Sequence, residues 1–333
     1  MNTNTLTGRD WLSIDIANCF GLDKETWIDR LLWTEIHLDE LEMLTPNADS
    51  KLLFRKAVHA YRLSMKGLSI GHNMFLDACN SGAQIYAAVT GCKTTAANCG
   101  LVRIPVRKDA YTQITYAMDD ELGGDLAYPR DDIKGAVMKA LYNSKKAPKD
   151  LCGEDTPELS AFYNGMHKEL PGAMIALSAI NSYWNHEALL HEFTLPDGHV
   201  ASIPVTEMRA TRIEVDELDH TTFTYQYESN ESSDNGRSLA PNIIHAIDGY
   251  VVREMIRMAR EQGFTLAHIH DSFCAHPNHM GKVVNNYRTI LAKIADSDLL
   301  SDILSEISSS EVRINKMSAN LSVDILACEY PLS

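Results

Sequence analysis

Two carboxylates stand where a sheet could offer them to a metal. Asn73-Met74-Phe75-Leu76 is a short apolar run that ends in Asp77, and Phe264-Thr265-Leu266-Ala267-His268-Ile269-His270 is another, followed by Asp271. Strand-end carboxylates are hard oxygen donors, and two that converge could hold a pair of Mg2+ ions. Taken singly, an Asp after an apolar run reads as a turn former. A second pattern is Arg130-x3-Lys134-x3-Met138-x3-Tyr142. At 3.6 residues per turn, a four-residue step keeps these side chains on one slowly winding stripe about 18 Å long. Two cations followed by an apolar and an aromatic side chain suit a nucleoside triphosphate lying along a helix. Its phosphates would meet the cations, and its base and sugar the Met138–Tyr142 end. Standing alone, the same helix reads first as a solvated basic face above an apolar stripe. The third pattern is Ala240-Pro241-Asn242-Ile243-Ile244-His245-Ala246-Ile247-Asp248-Gly249, in which His245 and Asp248 interrupt an apolar helix face and need polar partners or a ligand.

A mixed chain must position these groups. In the first 75 residues Trp27, Leu31, Leu32, Ile36, Leu38 and Leu41 recur near helical spacing, Pro46-Asn47 breaks the pattern, and a second helix spans about 50–67. The apolar runs before Asp77 and Asp271 read as buried strands. Helices are expected from Gly82 to about 90 and from Pro129 to about 145, the latter with Asp131 and Asp132 in its first turn. Between 186 and 228 the texture turns to β, with a Pro196-Asp197-Gly198 turn and alternation over Thr221–Tyr227. Glu228 to Arg237 is polar and predicts a loop. A helix over about 241–262 precedes the second strand, and helices fill the C-terminal part until Ser318.

In order along the chain, these features match one family. Phe75-Leu76-Asp77-Ala78-Cys79-Asn80-Ser81-Gly82-Ala83-Gln84 resembles motif A of the bacteriophage and mitochondrial single-subunit RNA polymerases. The Arg130–Tyr142 helix resembles their motif B, and His270-Asp271-Ser272-Phe273 their motif C. Residues 240–249 are similar to the segment before motif C, and Ala17-Asn18-Cys19-Phe20-Gly21-Leu22-Asp23-Lys24 to a segment upstream of motif A. Any one match is weak, but five in order with fixed spacings make coincidence implausible.

The resemblance implies an α/β (α+β) right-hand polymerase. Its palm would lie at 1–93 and 246–333, ending in an apolar C-terminal foot. A mostly helical fingers insertion would occupy 94–245, with a β-rich hairpin region at about 186–230. By the same resemblance, Asp77 and Asp271 hold two Mg2+ ions, with the Ala78 carbonyl as an extra ligand. Lys134 contacts the triphosphate as a candidate general acid toward pyrophosphate, with Arg130 and Lys24 also near the phosphates. Met138 lies beside the bound nucleotide, Tyr142 and His245 sense the ribose 2′-hydroxyl, and His270 lies beside the primer 3′ end. The implied activity is ribonucleotidyl transfer from rNTPs to an RNA transcript on a DNA template, in the cytoplasm of an infected bacterium.

The match has departures. The chain begins too late to hold the family's N-terminal promoter-binding domain, thumb hairpin and D-x-x-G-R strand. A second polymerase subunit is therefore expected to supply them, with this chain as the larger, catalytic subunit of a heterodimer. The segment at the place of the family's promoter-reading hairpin is acidic: 207–234 holds eight acids and only Arg209 and Arg212 as bases. Promoter recognition would then rest on those two arginines, on the partner, or on a single-stranded-DNA-binding accessory protein. One rival is a DNA polymerase of the related fold, but Ser272 follows Asp271 where that family has Glu. Another is a catalytically inactive nucleic-acid-binding subunit, against which the retained Asp77, Asp271, Lys134 and Tyr142 stand.

Composition sharpens these expectations. With 30 basic and 45 acidic residues the net charge is −15, which at first argues against any nucleic-acid binder. Most of that charge comes from 23–49, 207–234 and 296–333, whereas 130–149 carries six bases and two acids. The average hides a basic helix. No run of 18 apolar residues and no signal-like N-terminus is present, so a soluble cytosolic protein away from membranes is expected. The seven cysteines form no C-x-x-C pair and read as reduced thiols, with Cys79 in a packing role. His268, His270, Cys274, His276 and His279 invite a zinc assignment but lack a second ligand cluster.

Overall fold

The computed structural model describes residues 3–124, 128–232 and 238–333. α1 (Gly8–Phe20) starts at a capping box: Thr7 Oγ1 accepts from the Asp10 amide while the Asp10 carboxylate accepts from the Thr7 amide. α2 (Trp27–Ile36) is capped by Thr26, and α3 (Lys51–Met65) packs on α1, where Phe54, Ala57 and Val58 meet Leu12 and Ile16 in a satellite cluster. β1 (Met74–Asp77) leads into α4 (Ser81–Thr90), whose residues are all buried. Its Ala-rich sequence presents apolar surface all round, as a helix must when it is surrounded.

The helices α5 (Lys93–Asn98), α6 (Ala110–Glu121), α7 (Arg130–Leu141), α8 (Lys146–Cys152), α9 (Pro157–Glu169) and α10 (Pro171–Ser182) follow. Two hairpins come next: β2 (Leu190–Thr194) with β3 (Val200–Pro204), and β4 (Thr206–Val215) with β5 (Thr221–Ser232). The chain closes with α11 (Leu239–Glu261), β6 (Ala267–Ile269), β7 (Ser272–Ala275), α12 (Met280–Asp296), α13 (Leu299–Ser308) and α14 (Leu321–Ala327). α4 packs against α5, α10, α11 and α12, so the main core forms around it. The result is an α+β molecule with small sheets.

The sheet that matters has the antiparallel order β1-β7-β6, with Leu76 opposite Phe273 and Asp77 opposite Ser272. Side chains alternate across a strand. Met74 and Leu76 are buried on one face, while Phe75 and Asp77 share the open one. The sequence predicts two buried strands, and here the structure corrects it. β1 is buried on one face only, and β6 is exposed along its length. The strand buried throughout is β7, where Phe273, Cys274 and Ala275 are all inside.

Three boundaries also move. α7 ends at Leu141 rather than near 145, because Asn143 turns the chain at φ +65°. β5 runs on to Ser232 where polarity predicts a loop from Glu228, because β4 supplies backbone partners that pair Met208 with Glu228 and Glu207 with Ser229. The rest of that expected loop, 233–237, lies outside the described residues. The C-terminal helices stop at Ser308, and a non-helical stretch precedes α14. Among the described residues, no helix is long and apolar enough to cross a membrane.

Candidate active site

Asp77 is the last residue of β1, and the next amide, that of Ala78, donates to the Asp271 carbonyl at 3.2 Å. His270 and Asp271 form the two-residue turn between β6 and β7, so both carboxylates emerge at one end of the sheet. His270 sits at φ +53°, a conformation that costs a non-glycine residue of order 1 kcal/mol and is held by the hairpin around it. On the other side of β1, residues 331–333 pair in. The Asp77 amide donates to the Ser333 carbonyl, the Ser333 amide returns to Asp77, and the Cys79 amide donates to Pro331. The expected apolar tail near the site is therefore docked directly on the strand that carries Asp77.

Two helices reach this corner. Tyr142, the residue that caps α7, stacks on His245 of α11 with ring centroids 4.9 Å apart and planes 7° from parallel. One turn further along α11, Asp248 has its carboxyl pushed up to about 6, first by burial and then by the charge of Asp271. Burial, with Asp248 and Asp271 close by, likewise raises the Tyr142 phenol. Behind them the Gln84 side chain, buried, accepts from the Tyr287 hydroxyl at 2.7 Å and donates to the Cys99 and Pro331 carbonyls at 2.9 Å each. One amide thus ties α4, α12 and the 331–333 segment together.

The cationic end lies up α7. Arg130 donates to Asp109 from Nε at 2.9 Å and from Nη2 at 2.5 Å, and its guanidinium lies 5.6 Å from the Tyr111 ring. The Lys134 ammonium lies 5.9 Å from that same ring. Asp109 also caps α6 through the Thr112 amide. Burial would raise its carboxyl, but the hydrogen bonds from Thr112 and Arg130 outweigh that and hold it below the usual range. Lys24 is in the exposed loop between α1 and α2 and pairs with Asp23. Burial holds the Cys79 thiol up and therefore protonated, which agrees with packing rather than nucleophilic chemistry.

The structure thus gathers Asp77, Ala78, His270 and Asp271 at the sheet end and brings Tyr142 and His245 to them as a stacked pair. Lys134 and Met138 are exposed along the α7 stripe. Arg130 is engaged by Asp109 rather than open. The sequence does not single out Asp109, Tyr111, Gln84, Arg30 or Arg107, and it flags Asp248 only as a polar group in need of a partner.

A divalent cation has a fitting donor set here. Two carboxylates and a main-chain carbonyl suit Mg2+, which keeps several waters and is seldom caged by protein alone. Burial is the first cause of the raised Asp248 carboxyl and the charge of Asp271 the second, and it is this second part that a cation would relieve. Among the described residues, the three-ligand group whose donor atoms lie within 4.8 Å of one another is elsewhere: Glu214, Asp216 and His220, exposed at the β4–β5 turn. The run from His268 to His279 forms no such group. His279 stacks on Phe264, and His276 accepts from the Asn278 amide.

Comparison with known proteins gives two similarities. A family model described as DNA-dependent RNA polymerase matches residues 203–325, a span that includes His245, Asp248, His270 and Asp271. The DNA-directed RNA polymerase of Pseudomonas phage phiKMV is 22% identical over 329 residues, a match covering 80% of this chain and 40% of the phage protein. The chain therefore spans less than half the length of that relative.

Proposed function

We propose that this chain, which belongs to the single-subunit, phage-type DNA-dependent RNA polymerase family, carries out template-directed ribonucleotidyl transfer. The observation that carries the proposal is the convergence of Asp77 and Asp271 at one sheet end with the Tyr142–His245 stack beside them. In this reading the β1-β7-β6 sheet is the floor of a palm formed by 1–93 and 246–333, and 94–245 are the fingers. The second junction falls within α11.

Asp77 and Asp271, with the Ala78 carbonyl, would hold two Mg2+ ions, which when bound lower the pKa of an attacking hydroxyl and neutralise phosphate charge. The chain's own side chains do the remaining work. Lys134, Arg130 and Lys24 would take the triphosphate, with Lys134 the donor of a proton to departing pyrophosphate. The Asp109 carboxylate keeps the Arg130 fork aimed. The Tyr142 hydroxyl and the His245 ring test the sugar for a 2′-hydroxyl, while Met138 borders the base. His270, fixed in its tight turn, lies where the transcript 3′ end would arrive.

Template DNA, transcript and rNTPs are the partners of such a site. The proposed second polymerase subunit would cover the side chains Ile28, Leu32 and Ile36 of α2 and Leu52 and Leu53 of α3, which stay exposed although large and apolar. The β4–β5 hairpin is the proposed promoter reader, acting through Arg209 and Arg212, with help from an accessory single-stranded-DNA-binding protein. Charge reversal at both arginines is expected to change start-site choice, and unchanged choice would remove the hairpin from that role.

The test of the activity is extension of an RNA primer on single-stranded DNA, offered rNTPs or dNTPs, by the chain co-expressed with its genomic neighbours. Incorporation of rNTPs is expected. Incorporation of dNTPs alone would favour the DNA-polymerase alternative, and no incorporation the inactive binding subunit.

A further inference from the structure

Arg107 lies between α5 and α6, outside every motif of the site, yet its guanidinium touches three segments that meet there. Nη1 donates to the carbonyls of Asp23 and Lys24 at 3.1 Å each. Nη2 donates to Sγ of Cys79, two residues past Asp77, at 3.3 Å. Its face lies 5.0 Å from the Tyr330 ring, and the residues just after Tyr330 are those that pair with Asp77 and Cys79. The Lys24 loop has a second fastener. Arg30, fully buried, donates to the Asp23 carbonyl at 2.6 Å, to Ser333 Oγ at 2.7 Å and to the Glu25 carbonyl at 3.1 Å. Two guanidiniums around one carbonyl repel each other: burial and then Arg107 push Arg30 down to about 10, which leaves it cationic at neutral pH. The loop carbonyls, as shared acceptors, offset that repulsion.

We propose that Arg107 is a positioning residue that fixes the Lys24 loop against the strand end bearing Asp77, so that a phosphate-binding cation and a carboxylate serving the same nucleotide keep their spacing. The inference rests on the polymerase reading given above. Lys24 is exposed, and a lysine on an untethered loop must be ordered when ligand binds, which weakens affinity. Tethering the loop backbone removes that cost before the nucleotide arrives. Arginine is suited to the task, because its planar fork reaches two carbonyls and a sulfur together, whereas a lysine ammonium is a compact point charge. Two residues on, Asp109 grips Arg130, so one short segment reaches the supports of both cations.

The test is a double-mutant cycle on the dissociation constant of Mg·GTP, measured by equilibrium dialysis with the full chain co-expressed and purified with its genomic neighbours. The proteins are wild type, Arg107→Lys, Lys24→Ala and the double variant, with Arg107→Gln run alongside because it retains a planar donor. Arg107→Lys is expected to weaken binding about tenfold when Lys24 is present and less than about twofold when it is absent, the coupling of residues that act through one another. A purely structural role would lower the unfolding temperature and weaken binding equally in both backgrounds. That equal effect, or unchanged binding, overturns the inference and leaves the polymerase reading standing. A wild-type chain that binds no Mg·GTP overturns the reading itself, and the inference with it.

Discussion

Tyr142 and His245 come from helices far apart in the chain and end ring against ring. At this scale much was legible, because the chemistry demands particular residue types at fixed spacing. Asp77, Asp271, Tyr142 and His245 stood out from pattern and resemblance, and the structure groups them at one corner. Their supports were not. Asp109 reaches Arg130, and Arg107 reaches Lys24, through tertiary contacts that leave no periodic trace in sequence. Asp248 gave a partial signal, a carboxylate on an apolar helix face, but only the packed structure places it against Asp271. If the Tyr142 hydroxyl senses the sugar, Tyr142→Phe should relax discrimination against dNTPs by up to about tenfold, the worth of one hydrogen bond. Competition between rNTP and dNTP in single-nucleotide extension measures this, and unchanged selectivity would break the sugar-sensing role.

Elements were legible where periodicity was strong and less so where neighbours decide. The four-residue step of α7 was visible, but its end was set by a left-handed Asn143. The extent of β5 was hidden because its polar end is held by the β4 ladder rather than by side-chain burial. Close approach also governs Gly100, which sits at φ +79° with room for no Cβ: an added carbon would lie 2.3 Å from the Tyr330 carbonyl oxygen. Gly100→Ala should destabilise the chain by roughly 1–3 kcal/mol in urea unfolding, through backbone strain and displacement of the docked tail. A loss within error would mean that the tail yields freely.

The stretch between α13 and α14 is pinned by Lys316, whose ammonium donates to the Ala88 carbonyl at 3.1 Å. Burial lowers its pKa to about 8 from an ordinary 10.5. The folded chain then releases this proton before the unfolded chain does. The burial penalty is fully present below about pH 8 and is relieved between about 8 and 10.5. The difference in unfolding temperature between wild type and Lys316→Met should therefore shift in favour of wild type as pH rises through that window. A constant or opposite trend contradicts a desolvated lysine.

For the whole molecule, the net charge of −15 looked hostile to a polymerase until it was resolved along the chain. The bases of 130–149 are shared between α7 and the start of α8, while the acidic segments include α2 and the β4–β5 hairpin, both of which also expose large apolar side chains. The α+β class was legible from alternating helical and strand textures. The shape of the central sheet was not, because its strands are short and unequally buried, β1 on one face, β6 on neither and β7 on both. The central claim is that this sheet end is a catalytic centre built on two carboxylates. Primer extension by Asp77→Ala and by Asp271→Ala tests it most directly, with unfolding temperature as the control for folding. Each substitution should cut the extension rate by roughly two to three orders of magnitude or more while the chain stays folded. Wild-type rates in both variants would contradict the account.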